Sequence, residues 1–173
     1  RIDVASTATF DLRGEWVNDL RIANNDAVGT DAAFIHGGSA SFVAQGDVAF
    51  AAGSVVDVSA GAQLRSNGSL RYGRAGSITL EAKPTEQQVA AITELSLSGE
   101  LRGFGFSQGG SLTLSAPSFR IGQDGMSNTL GEIALMPAFF RSGGFASYVL
   151  NADRGGIVVD DNTFKGRAGH GQY

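Results

Sequence analysis

Hydrophobic and polar residues alternate every second position in several short stretches of the chain. That is the period of a β-strand with one face buried. Four of these stretches share one pattern: Gly37-Gly38-Ser39-Ala40-Ser41-Phe42-Val43-Ala44, Ala75-Gly76-Ser77-Ile78-Thr79-Leu80-Glu81-Ala82, Gly109-Gly110-Ser111-Leu112-Thr113-Leu114-Ser115-Ala116 and Gly143-Gly144-Phe145-Ala146-Ser147-Tyr148-Val149-Leu150. Anchored on the second residue of each, Gly38, Gly76, Gly110 and Gly144, the copies recur at intervals of 38, 34 and 34 residues. Aligned this way, one apolar column reads Ala40, Ile78, Leu112, Ala146 and the next reads Phe42, Leu80, Leu114, Tyr148. A third reads Ala44, Ala82, Ala116, Leu150, and between the first two runs a hydroxyl column of Ser41, Thr79, Thr113 and Ser147.

Further strand-like runs lie between the copies: Val55-Val56-Asp57-Val58-Ser59, Leu95-Ser96-Leu97-Ser98, Ser118-Phe119-Arg120-Ile121 and Ile157-Val158-Val159-Asp160. Glycines bound each of them. The pattern predicts an all-β, right-handed parallel β-helix (a solenoid) over residues 1–164, with two coils of roughly 17 to 19 residues in each repeat. Like residues would then stack into apolar ladders, and glycines would supply positive φ at the corners. Helical repeats of similar period are disfavoured, because the repeated segments alternate every two residues and abound in Gly, Ser, Thr and Val. One segment departs from the alternation. Residues 84–94, from Pro84 to Glu94, hold a Thr85/Gln88 capping box and place Val89 and Ile92 on one helical face, which predicts a short helical or loop insertion.

Composition narrows the function. The chain of 173 residues carries 25 glycines, about twice the usual share of roughly 7%, but only 3 prolines. A net charge of −4 and scattered basic residues argue against nucleic acid, which calls for clustered Lys and Arg. With no cysteine there is no disulfide framework and no thiolate metal site. No apolar run reaches the roughly 18 residues of a membrane span. The tail over residues 165–173 is polar and glycine-rich, and reads as frayed.

In their order along the chain, several motifs resemble the passenger region of filamentous-haemagglutinin-family exoproteins. They are Asp11-Leu12-Arg13-Gly14-Glu15-Trp16, Asp57-Val58-Ser59-Ala60-Gly61, the Gly-Gly-Ser strands, Leu101-Arg102-Gly103-Phe104-Gly105 and Phe139-Phe140-Arg141-Ser142-Gly143-Gly144-Phe145. The resemblance covers residues 4–164. It implies an internal fragment of a much longer chain, secreted through a two-partner route by a dedicated outer-membrane β-barrel transporter. It further implies display on a bacterial cell surface, where the protein adheres to a host or bacterial receptor or glycan. The family's amino-terminal secretion domain is not recognisable here.

The chemical candidates read as structural. The two histidines, His36 and His170, lie far apart, and His36 beside Gly37-Gly38 reads as a strand cap. Neighbours in a strand face opposite ways, so Asp160 and Asp161 would not cooperate. Gly103-Phe104-Gly105 and Gly109-Gly110 lack the register and the lysine of a nucleotide loop. Asn67-Gly68-Ser69 reads as a turn. Phe104, Phe106, Phe139, Phe140, Phe145 and Tyr148 alternate with small residues and are expected in the core, although an exposed aromatic stripe would bind sugar rings, and Trp16 is expected as a packing anchor. No catalytic, cofactor or metal residue is assigned.

The expectation is a non-catalytic structural and adhesive segment. Three alternatives stay open. One is a polysaccharide-binding or polysaccharide-degrading β-helix, against which Asp57, Glu81, Glu100 and Asp124 fall in no common repeat column. Another is recognition of ice or crystalline glycan by the hydroxyl column. The last is the shaft of a contact-dependent toxin-delivery protein.

Overall fold

A computed structural model of the chain describes residues 1–20, 33–83, 94–122, 125, 129, 131–161 and 163. The described residues are all-β, apart from a single 3-10 turn over Phe139–Arg141. The first pass of the chain forms β1 (Ile2–Val4), β2 (Thr9–Asp11), β3 (Trp16–Asn18) and β4 (Ser39–Gln45). The second forms β5 (Val48–Phe50), β6 (Val55–Asp57), β7 (Ala62–Leu64), β8 (Leu70–Tyr72) and β9 (Ser77–Lys83). Then come β10 (Leu95–Leu97), β11 (Glu100–Arg102), β12 (Gly110–Ile121), β13 (Glu132–Leu135) and β14 (Phe145–Val159).

Corresponding strands of successive passes pair with each other. One sheet is β1-β5-β10, a second is β2-β6-β11, a third is β3-β7-β8, and the fourth joins β4, β9, β12, β13 and β14. Every pairing is parallel except β7–β8, a hairpin closed by the Asn67-Gly68-Ser69 turn. There the Asn67 Oδ1 accepts the Ser69 N–H at 3.0 Å, and Gly68 sits at φ 79°, a value that suits glycine.

The repeated stretches are direct neighbours. Ser39, Ala40, Ser41 and Phe42 oppose Ser77, Ile78, Thr79 and Leu80, and these oppose Ser111, Leu112, Thr113 and Leu114. This corrects the expected two coils per repeat. No intervening run lies between consecutive copies; the runs at Val55 and Leu95 build sheets of their own. The runs at Ser118 and Ile157 continue β12 and β14 as single long strands.

The fourth copy is also shifted. Ser111 opposes Ser147, Leu112 opposes Tyr148 and Leu114 opposes Leu150. The offset is 36 residues, as for the bond from Asn151 to Ser115, rather than 34. Gly143 and Gly144 both take positive φ (74° and 76°), and the register slips between Gly110 and Ser111. Phe145 uses that slip to lay its ring against Gly103, where a Cβ would collide with it, and close to Gly110, where a Cβ would strike the Gly76 carbonyl. The slip brings Tyr148 and Leu150 over Leu112 and Leu114 in place of Ala146 and Tyr148, so the larger side chains fill the column.

The anchor glycines of the earlier repeats have a different cause from the one expected. Gly37 and Gly76 are not in the positive-φ region; a Cβ on Gly76 would strike the Gly38 carbonyl, and one on Gly37 the Val58 carbonyl. They allow successive passes to approach backbone to backbone.

The core is one cluster fed by all passes. Val48, Phe50, Val56, Val58, Ile78, Leu80, Leu112, Leu114 and Phe119 are fully buried within it. Phe10, Phe42 and Phe50 continue it edge to face, with centroids 5.1 and 5.0 Å apart. At the other end Phe139, Phe140, Phe145 and Tyr148 pack half-buried against it, as their alternation predicts. The expected insertion over residues 84–94, Glu94 excepted, lies outside the described residues, as does the tail over 165–173.

Candidate functional site

Asp-x-Arg and Glu-x-Arg put a carboxylate and a guanidinium on the same face of a strand, two residues apart. Both combinations occur in the second sheet. The Arg13 Nε donates to Asp11 Oδ1 at 2.8 Å and its Nη2 to Oδ2 at 2.6 Å. Arg102 repeats this fork with Glu100, at 2.8 and 2.6 Å. Pairing places Asp11, Asp57 and Arg102 side by side on three adjacent strands, with Asp57 in the middle and buried. The Asp57 Oδ1 accepts the Ser59 N–H at 2.9 Å, and its Oδ2 lies 3.8 Å from Arg102 Nη1.

These forks fix charge. The Arg13 side chain, and then the Arg13 backbone N–H, hold the Asp11 carboxyl down to about 2. The Arg102 hydrogen bonds lower Glu100 likewise, and both arginines are raised in return. A proton donor needs the opposite shift, so Asp11 and Glu100 are fixed anions and not acids in waiting.

Beside this ladder, three aromatic rings stand in solvent. Trp16 of β3 is 69% exposed, Phe106 64% and Phe104 54%. For Phe104 and Phe106 this corrects the expectation that they fill the core. Trp16 and Phe106 meet edge to face at 5.4 Å and 84°, and Tyr72 backs Phe106 at 5.7 Å and 34°. The segment carrying the two phenylalanines is pinned. The Phe104 N–H donates to Ser59 Oγ at 3.1 Å, its carbonyl accepts the Ala60 N–H at 2.7 Å, and Ser107 Oγ donates to the Gly73 carbonyl at 2.8 Å. A side chain on Gly144 would collide with the Phe104 ring, so this glycine makes the seat on which Phe104 lies.

Together the charged ladder and the rings enclose an open groove of about 940 Å³. Its lining includes Asp11, Arg13, Glu15, Trp16, Asp57, Ser59, Phe104 and Phe106. In the sequence Asp57 and the aromatics are separate candidates, and Asp11, Arg13 and Glu15 stand only inside a motif. The available signal was the pair of i, i+2 charge forks. Their convergence with Trp16 depends on which strands pair.

The other candidates stay apart from this groove. His36 bridges two passes, its Nδ1 accepting the Arg74 N–H at 3.0 Å. His170 and Asp124 lie outside the described residues. Asp160 pairs with Arg120 at 3.0 Å, while Asp161 is exposed in the following turn. Glu81 pairs with Lys83. The hydroxyl column ends at Thr113, because Val149 and not Ser147 opposes it. A serine column replaces it: Ser39, Ser77, Ser111 and Ser147 lie in register, with Ser77 Oγ donating to Ser39 Oγ at 3.0 Å. Among the described residues no group of three or more His, Asp or Glu could hold a metal ion, and no helix is long and apolar enough to cross a membrane. Compared with protein-family models, curated proteins and solved structures, the chain matches none.

Proposed function

We propose that the chain is a right-handed parallel β-helix serving as a structural and adhesive segment of a filamentous-haemagglutinin-type exoprotein, exported by an outer-membrane transporter to the bacterial surface. One observation carries this reading: β1, β2 and β4 of the first pass and β10, β11 and β12 of the third pair in parallel with β5, β6 and β9 of the second, in the same order along the chain, so that like residues of the first three repeats sit over like. Crossovers between parallel strands are right-handed in nearly all proteins, which sets the hand. A stack of this kind grows by about 4.8 Å with each pass, has no need of a catalytic centre, and presents a side wall of strands to a receptor.

Small-angle scattering of the purified chain, read together with assays on a polysaccharide panel, tests the proposal. The expected result is the scattering profile of this short stack, adhesion of protein-coated beads to cell surfaces, and no release of sugar ends. A profile that does not fit the stack overturns the fold. Polysaccharide cleavage abolished by Asp57→Asn overturns the role.

The groove favours a second reading, a polysaccharide-binding β-helix. It is compatible with the first, since an adhesive wall requires a place to adhere. Polysaccharide degradation fits less well, because both oxygens of Asp11 are engaged by Arg13 and Asp57 is tied to the Ser59 N–H.

A further inference from the structure

We infer that the groove beside Trp16 is a binding site for a neutral oligosaccharide, whose sugar rings stack on Trp16, Phe104 and Phe106 while the flanking charged groups take its hydroxyls. The inference deepens the adhesive reading and rests on it.

The aromatics come first. Large exposed apolar surface is unfavourable in a monomer and marks contact sites. Here three rings stand more than half exposed around one concavity, although core positions for aromatics exist nearby and are filled by Phe42 and Phe50. They are also held in place. Phe106 is wedged between Trp16 and Tyr72, and Phe104 is seated on Gly144 and tied by its backbone to Ser59 and Ala60. Binding therefore orders little that is not ordered already, which keeps its entropic cost low.

The polar lining selects the ligand. It contributes three carboxylates, Asp11, Glu15 and Asp57, against one guanidinium, Arg13. That guanidinium is already committed to Asp11 by two hydrogen bonds. A uronate or sulfated chain would meet net negative charge and no available cation in the lining. A neutral sugar meets carboxylate oxygens, which accept hydroxyl hydrogen bonds, and ring faces, which accept its C–H surface. The exposed Glu15 makes no ion pair with any described residue, so its carboxylate is available for this role. A purely apolar partner would leave the Glu15 carboxylate desolvated without a hydrogen bond, which is costly. A groove of about 940 Å³ has room for several sugar units.

The protein carries its own reporter, since Trp16 is the only tryptophan in the chain. Intrinsic fluorescence should shift or quench on titration with a neutral hexasaccharide from a panel of cellohexaose, chitohexaose, xylohexaose and mannohexaose. Heparin and polygalacturonate should leave it unchanged. By calorimetry, Trp16→Ala and Phe106→Ala should each weaken the bound sugar at least 10-fold, and Glu15→Gln, an exposed change that leaves the fold intact, several-fold. Met136→Ala, exposed and outside the groove, should have no effect. Circular dichroism of every variant separates lost binding from lost folding.

Three results would overturn the inference. They are silence toward all four neutral probes up to millimolar concentration, preference for the polyanions, or a Trp16 signal that follows protein concentration and so reports a second copy in the groove. The first two leave the scattering profile untouched and the third appears there as a doubled mass with the fold of each copy intact, so the groove can fail while the stack stands.

Discussion

Asp11 is half exposed, yet the Arg13 fork gives it a single environment. Its carboxyl should titrate near 2 in carbon-detected NMR rather than at the usual 3.8, and Arg13→Gln, which keeps the backbone N–H of residue 13, should raise it part of the way back. The sign for stability follows from the direction of the shift. A carboxyl depressed in the folded state contributes above its unfolded pKa, and the contribution is lost as pH falls through the folded one. Whatever the fork contributes should therefore be intact at neutral pH and vanish between about 4 and 2. Asp11→Asn should flatten that part of the stability profile; an unchanged profile would show the fork to be energetically silent. The same residues show what could be read in advance. The i, i+2 spacing of Asp11 with Arg13 and of Glu100 with Arg102 announces two same-face pairs in any strand. Nothing in it announces that Asp57 lies between them.

At the scale of elements, the repeated strands carry the most specific expectations. Ser39 and Ser77 hold their hydroxyls 3.0 Å apart while standing 38 residues apart in sequence. The chain has no native cysteine, so the double variant Ser39→Cys/Ser77→Cys should form one clean disulfide under mild oxidation, seen as a mass loss and faster migration of the unreduced protein. A loop of that length should stabilise the fold by about 3–4 kcal/mol. Failure to close would mean that the two repeats are not direct neighbours. Leu114 lies fully buried between Leu80 and Leu150, and Leu114→Ala should cost about 2–5 kcal/mol in urea unfolding. Alternation made these strands legible. The number of passes per repeat was not legible, because spacing alone does not say whether the run between two copies returns to the same sheet or builds another. The fourth register was not legible either, because the double glycine at 143 and 144 looks like the anchor of the earlier copies yet forms a left-handed turn.

Across the whole molecule, all passes share one apolar cluster, from Val4 and Val48 to Leu114 and Leu135. A core without internal boundaries should unfold once. Urea transitions followed by far-ultraviolet circular dichroism and by Trp16 fluorescence should coincide, and Val48→Ala should shift both midpoints together. Separated transitions would show that the Trp16 side of the stack opens independently. The sequence alone determined the strand-forming face of each repeat, the all-β class and the absence of cysteine chemistry, since these depend on residue type and near-neighbour periodicity. The tertiary structure decided which strands became neighbours, and with that whether an aromatic faced the core or the solvent. Phe42 and Phe106 each sit among small residues, and local pattern cannot tell them apart. Only the pairing of strands distant in sequence closes the core over Phe42 and leaves Phe106 standing beside Trp16 at the edge of a groove.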